Sequence, residues 1–230
     1  MAARAAALRR LQEKRRIVRL RRGLFVIVPA EYRSAGSPPA SWFIDDLMVH
    51  LDTPYYVGLL TAAALHGAAH QQPQVFQVVT AVAMRGLERG RLRIEFHRNR
   101  NVHGVPVERR KTETGSMRVS TPEATAIDLL RYPSACGYLD NVATVLRGLA
   151  ERIDPAELAR VARGARHPEI QRLGYVLEHL GLQRLAKPLA ELVASRRRRP
   201  VLLQPGLDAR EREHDRRWYV IPNEKIEPDL

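Results

Sequence analysis

The alternation of apolar and polar positions separates a short N-terminal segment from a longer body. Residues 2–14 are rich in Ala, Leu and Arg, which favour a helix. Apolar and β-branched residues then predict two short strands, at 16–20 and 24–28. Because Gly23 lies in the three residues between them, the pair is expected to form a β-hairpin. Pro29 ends the second strand, since it has no N–H to donate to a ladder.

The next segment, residues 32–40, contains Ser, Gly and two prolines and predicts a break between domains. We therefore expect a winged-helix-like segment at 1–35, a linker at 36–40 and a larger domain at 41–230. The winged-helix-like segment is expected to be incomplete, because a winged helix has two helices before its recognition helix.

The larger domain is predicted to be of the α+β class, with a small β-sheet followed by a helical C-terminal half. Its early helices are expected at 41–51 and 55–69. The strands are expected at 75–83, 91–97, 105–110, 117–120, 201–204 and 217–221. The later helices are expected at 121–130, 138–151, 155–163, 168–180 and 185–194.

Charge is the property of the composition that says most about the partner of this chain. The formal net charge is +13, which points to a polyanionic partner, with nucleic acid ahead of a membrane surface. Residues 1–22 carry nine basic side chains and one acidic one, Glu13. The positive charge is therefore concentrated in patches on a body that is otherwise close to neutral.

A helix followed by a basic hairpin is the second half of a winged helix-turn-helix, in which the helix enters the major groove and the hairpin lies along the backbone. Arginine suits both positions, because it bonds guanine or phosphate in bidentate fashion. The alternative is a solvated basic helix without a partner, and we favour DNA. The expected DNA-binding residues are Arg4, Arg9, Arg10, Lys14, Arg15, Arg16, Arg19, Arg21 and Arg22.

A secondary basic patch lies in the strand region. Arginine at alternating strand positions is typical of an extended DNA or RNA surface, but it is equally typical of an exposed sheet face, and both interpretations stay open. The residues of this patch are Arg89, Arg91, Arg93, Arg98 and Arg100.

Motifs for catalysis or metal binding are not found in the sequence. His66 and His70 have the helical spacing used for zinc, but no Glu follows the first histidine as in the metalloprotease motif. Carboxylates do not cluster as a metal-dependent nuclease requires. We therefore predict no enzyme activity, no catalytic residue, no metal and no cofactor.

The expected compartment is the cytoplasm. Cys136 is the single cysteine, so an intrachain disulfide is excluded. The chain has no apolar run of membrane-spanning length and no signal peptide, so we expect no membrane partner.

Four segments in order along the chain resemble the AbiEi family of antitoxins, which are predicted regulators of phage defence by abortive infection. They are Ala7–Leu11 leading to Arg19–Pro29, then Tyr55–Gly67, Val119–Leu130 and Trp218–Leu230. The resemblance implies a winged-helix domain that binds inverted repeats of double-stranded DNA in its own promoter. It also implies a C-terminal antitoxin domain that opposes a nucleotidyltransferase-like toxin, and it assigns no catalytic residues.

The function expected from this resemblance is that of a DNA-binding antitoxin that represses its own toxin–antitoxin operon. Two alternatives stay open: a nuclease-like, nucleic-acid-processing enzyme of a defence system, and a binding protein that sequesters its toxin.

Overall fold

The computed structural model of the chain describes residues 2–68, 73–196, 199–209 and 213–227. These residues form eight α-helices and ten β-strands, which confirms the predicted α+β class. The chain divides into two compact units. The first unit comprises Met1–Val57, Gln74–His103 and Glu108–Val119, and the second comprises Gly58–Pro73, Gly104–Val107 and Ser120–Leu230. The domain bounds and the linker expected from the sequence stay predictions.

The first unit opens with a helix and a hairpin. Helix α1 (Ala2–Glu13) is followed by strands β1 (Ile17–Arg21) and β2 (Leu24–Ile27), which pair antiparallel. The helix and hairpin predicted from the sequence are therefore present, while their action as a winged helix stays a prediction. Helix α2 (Ile44–His50) follows and buries Leu47 and two neighbouring apolar residues.

A six-stranded mixed sheet completes this unit. Its order is β5-β6-β4-β3-β8-β7. Strand β3 pairs antiparallel with β4 and parallel with β8, β4 pairs parallel with β6, and β5 pairs antiparallel with β6. The strands are β3 (Tyr55–Val57), β4 (Phe76–Thr80), β5 (Leu87–Arg89), β6 (Leu92–Arg98), β7 (Val107–Thr112) and β8 (Gly115–Ser120).

The helix predicted over residues 55–69 is wrong at its start. Tyr55–Val57 form the central strand β3, all three residues are buried, and helix α3 (Leu59–Leu65) begins only after Gly58. Tyr and Val favour strands, and pairing with β4 and β8 outweighs the helical pattern of the following alanines. The prediction is also too long at its end, because α3 stops at Leu65 and residues 66–68 are not helical, while residue 69 lies outside the described residues. Strand β5 was not predicted.

The second unit is mainly helical. Almost all of helix α4 is buried, and it packs against α3, α5, α6 and α7. Two parallel strands of two residues each close the unit, so the strands predicted at 201–204 and 217–221 are shorter than expected. The elements are α4 (Pro122–Arg131), α5 (Tyr138–Leu149), α6 (Pro155–Ala162), α7 (His167–His179), α8 (Gln183–Ala194), β9 (Val201–Leu202) and β10 (Val220–Ile221).

Two polar features fix these helices. Thr121 and Asp154 cap α4 and α6 through their side-chain oxygens, in front of a proline in each case. Arg131 at the end of α4 bonds Asp128 at 3.0 Å and the buried Glu169 of α7 at 2.8 Å. Burial opposes ionisation of Glu169, but its bonds to Arg131 and Arg166 outweigh burial and lower its pKa.

Candidate nucleic-acid interface

Helix α1 ends in a Schellman motif at the start of the basic hairpin. The Arg15 amide donates to the Gln12 carbonyl and the Arg16 amide to the Leu11 carbonyl, both at 2.9 Å. Arg15 has φ +52° and occupies the left-handed position that glycine usually takes. A non-glycine residue in this conformation costs about 1–2 kcal/mol. The chain therefore keeps an arginine here in spite of backbone strain.

The hairpin contains a bulge that arranges its side chains. Arg19 pairs with Phe25 and Arg21 with Leu24, so one extra residue lies between the pairs in β1. That residue, Leu20, is fully buried, while Arg19 is exposed. Bulges increase the local twist of a strand. Leu20 thus anchors the hairpin while the arginine beside it stays in solvent.

Two arginines bind the hairpin to strand β5 and to the residues just before it. An Nη2 of Arg21 donates to the Arg85 carbonyl at 2.8 Å, and Nε of Arg89 donates to the Arg19 carbonyl at 2.8 Å. The two bonds run in opposite directions across the same junction. They fix β1 beside the edge strand of the sheet, although 64 and 70 residues separate the partners along the chain.

A groove of about 660 Å³ lies at this junction. Arg15, Arg19 and Arg89 line it, together with residues 34–36 and Gly90. Gly90 has φ +58°, and a Cβ there would lie 2.1 Å from the Ala35 carbonyl oxygen. The neighbouring Arg91 amide donates to the same oxygen at 2.9 Å. This close approach forms one wall of the groove.

The nine predicted DNA-binding residues differ in how much of their charge is free. Of these nine, only Arg9 has a carboxylate partner among the described residues, since its Nε lies 3.0 Å from Oε1 of Glu13. Arg19 and Arg21 bond backbone carbonyls, which leaves their charge uncompensated. The remaining six make no side-chain hydrogen bond or ion pair to any described residue: Arg4, Arg10, Lys14, Arg15, Arg16 and Arg22.

The secondary basic patch is divided by the geometry of strand β6. Arg89, Arg91 and Arg93 lie at the β5–β6 turn, beside the hairpin. Arg98 ends β6, six residues after Leu92 at the start of that strand, which places it about 20 Å from the turn at the usual rise of a strand. The structure therefore places the first three of these arginines beside the hairpin, while Arg98 lies at the far end of β6 and Arg100 follows it in the next loop.

Two parts of this surface were missed from the sequence. Arg85 is exposed, and its carbonyl receives the bond from Arg21, but it precedes a strand that was not predicted. Residues 34–36 were assigned to a break between domains, whereas they line the groove. Only the run of basic residues from 85 onward gave a signal in the sequence for this part of the surface.

The second unit also contains a cavity, of about 670 Å³. Its lining includes Tyr175, Asp215 and Glu224. Burial and the neighbouring Asp140 raise the pKa of the Glu224 carboxyl. No group of three or more His, Cys, Asp or Glu residues able to hold a metal ion occurs among the residues that the structure describes.

Other features mentioned in the sequence analysis have simple positions. His66 is buried, with Nε2 2.8 Å from the Ser120 carbonyl oxygen, and its predicted neighbour His70 lies outside the described residues. Cys136 is fully buried. None of the described helices is long and apolar enough to cross a membrane.

The fold and site define a mixed α+β protein whose first unit carries an exposed, basic helix–hairpin. Residues 56–179 match the family model described as the AbiEi antitoxin C-terminal domain. The match covers more than half of the 230 residues, so the chain belongs to the AbiEi antitoxin family. The resemblance stated from the sequence is confirmed, and membership supports an antitoxin role.

Solved structures give a likeness of fold. The RV2827C protein from Mycobacterium tuberculosis is 16% identical, with a TM-score of 0.65, over 94% of this chain and 78% of that chain. An antigenic nucleotidyltransferase-like protein from Paracoccidioides brasiliensis is 10% identical over 65% of this chain and 90% of that chain. Its TM-score of 0.43 is too low to bear on the fold or the function. No match was found among curated proteins.

Proposed function

We propose that this chain is a DNA-binding antitoxin that represses its own toxin–antitoxin operon and counteracts a nucleotidyltransferase-like toxin. Family membership supports the antitoxin role. The observation that carries the DNA-binding part is the uncompensated charge of α1 and the hairpin. Eight of the nine basic residues there have no carboxylate partner among the described residues.

The physical argument rests on how such charge is compensated. Cations crowded on one helix and hairpin repel one another, and a polyanion relieves that repulsion and is attracted from a distance. Arginines on both elements can bond phosphates bidentately, and those on α1 can reach base edges. Phosphate contacts would supply most of the affinity, while contacts from α1 would supply the sequence preference.

Repression is tested with a reporter driven by the promoter of the operon. We expect the unaltered chain to lower reporter expression, and the double variant Arg10→Gln, Arg16→Gln to relieve the repression. The matched control is Arg147→Gln, Lys187→Gln, which removes two exposed charges from the second unit and should repress normally. Equal repression by both variants would remove α1 and the hairpin from the mechanism.

Antitoxicity is tested by co-expression with a nucleotidyltransferase-like gene from the same operon. We expect the chain to restore growth that the toxin arrests. The Arg10→Gln, Arg16→Gln variant should still restore growth, because the family match begins at residue 56, beyond the altered helix and hairpin. Growth arrest that persists with the unaltered chain would contradict the proposal. Co-purification with the toxin would indicate neutralisation by direct contact.

A further inference from the structure

Hydrogen bonds hold the hairpin against the part of the secondary basic patch that lies at the β5–β6 turn. Arg21 and Arg89 each use one hydrogen-bonded N–H group to hold the junction, at 2.8 Å in both cases. A guanidinium has five N–H donors, so both side chains keep donors and full charge after making these bonds. Hairpin and turn therefore present their charges as one fixed surface.

The groove at this junction has the chemistry of an anion site. Three arginines line it, and no carboxylate is among the described residues that do so. A cation or a basic peptide would meet only like charge there. The strained Arg15 at the end of α1 and the carbonyl-bonded Arg89 of β5 both line the groove and contribute charge to it.

Further exposed basic residues lie close in sequence to the arginines that line the groove, which favours an extended polyanion over a small anion. Lys14 and Arg16 adjoin Arg15 in sequence, Arg85 precedes β5 by two residues, and Arg91 lies in the β5–β6 turn. All four are exposed. A single phosphate ion would contact only the groove, whereas a nucleic-acid backbone is long enough to contact the groove and these further basic residues.

We propose that the backbone of duplex DNA passes from the hairpin through this groove onto the β5–β6 turn, so that Arg85, Arg89 and Arg91 bind phosphates of the same site. This inference rests on the proposed DNA-binding function and extends it into the region that the sequence left open between a DNA surface and a solvated sheet face. The segment from Arg85 to Arg91, with strand β5 at its centre, then acts as a second phosphate-binding element beside the hairpin.

The test compares two double variants of the full chain on the promoter duplex. Arg85→Gln, Arg91→Gln removes two charges beside the groove. The matched control, Arg109→Gln, Lys111→Gln, removes two exposed charges from β7, at the opposite edge of the same sheet. Binding is measured at several salt concentrations. The slope of the logarithm of the association constant against the logarithm of salt concentration counts the phosphates neutralised.

We expect the groove-side variant to have a slope shallower by about 1.8, since each phosphate contributes about 0.9. Between 50 and 200 mM salt it should therefore lose about twelvefold less affinity than the unaltered chain. The β7 variant should keep the original slope. Thermal midpoints should stay unchanged in both variants, because exposed substitutions of this kind alter stability little.

Three results would overturn the inference, and they can be distinguished. An unchanged slope in the groove-side variant, with normal binding by the unaltered chain, overturns the extension and leaves the proposed function standing. Equal slope reductions in both variants show that charge acts without regard to position and also overturn the extension. No binding by the unaltered chain overturns the proposed function together with the extension.

Discussion

Arg15 offers a prediction in which stability and binding change in opposite directions. Its φ of +52° places it in the left-handed region, and its side chain lines the basic groove. Arg15→Gly removes both the strain and the charge. Loss of the backbone strain stabilises the end of α1 by about 1–2 kcal/mol. The greater conformational freedom of glycine in the unfolded chain costs about 0.5–1 kcal/mol, so the net local stabilisation should be about 0.5–1 kcal/mol.

The gain is local, so hydrogen exchange is the suitable assay. The Arg16 amide, bonded to the Leu11 carbonyl at 2.9 Å, should exchange two- to fivefold more slowly in Arg15→Gly, as follows from that free energy. Promoter binding by the same variant should weaken, with a salt slope shallower by about 0.9.

Arg15→Ala is the matched control, because it removes the same charge and keeps a Cβ in the left-handed region. It should weaken binding as much as Arg15→Gly without slowing exchange. Equal exchange rates in the two variants would refute the strain argument, and unchanged binding in both would refute the role of this charge in the groove.

Two further predictions concern the second unit. A Cβ at Gly174 would lie 1.9 Å from the fully buried ring of Trp218. Gly174→Ala should therefore lower the free energy of unfolding by about 1–3 kcal/mol and lower the thermal midpoint. An unchanged midpoint would contradict this packing. Glu169→Gln leaves the largely buried Arg131 short of a charge partner and should cost about 3 kcal/mol near neutral pH. The pKa of Glu169 is lower in the folded chain than in the unfolded chain. The stabilisation from its ion pairs is therefore complete above the unfolded-state pKa and is lost as pH falls through the folded-state pKa. Denaturant unfolding of the unaltered chain and of Glu169→Gln should show free energies of unfolding that approach each other as pH falls through this range.

The local features of the fold were predictable from the sequence. The glycine between β1 and β2 marks the hairpin, and the Thr121 and Asp154 caps mark the starts of α4 and α6. Each of these signals acts over a few neighbouring residues. Strand β3 was not predictable in the same way, because its three residues are fixed by partners that include Val119, 62 positions after Val57.

The basic residues of the candidate interface could be identified from composition, but their grouping could not. The bonds from Arg21 to Arg85 and from Arg89 to Arg19 join segments distant in sequence, and no local pattern encodes them. The pairing of β5 with β6 divides the secondary basic patch. It keeps Arg91 at the turn near the hairpin and leaves Arg98 at the far end of β6.

The central claim is that α1 and the hairpin bind the DNA upstream of the operon, and direct binding to that duplex tests it. We expect the unaltered chain to bind the promoter duplex more tightly than a shuffled duplex of equal length. We also expect Arg10→Gln, Arg16→Gln to weaken promoter binding and flatten its salt dependence, while Arg147→Gln, Lys187→Gln binds normally. Equal affinity of the unaltered chain for both duplexes, or equal promoter binding by the two variants, would contradict the account.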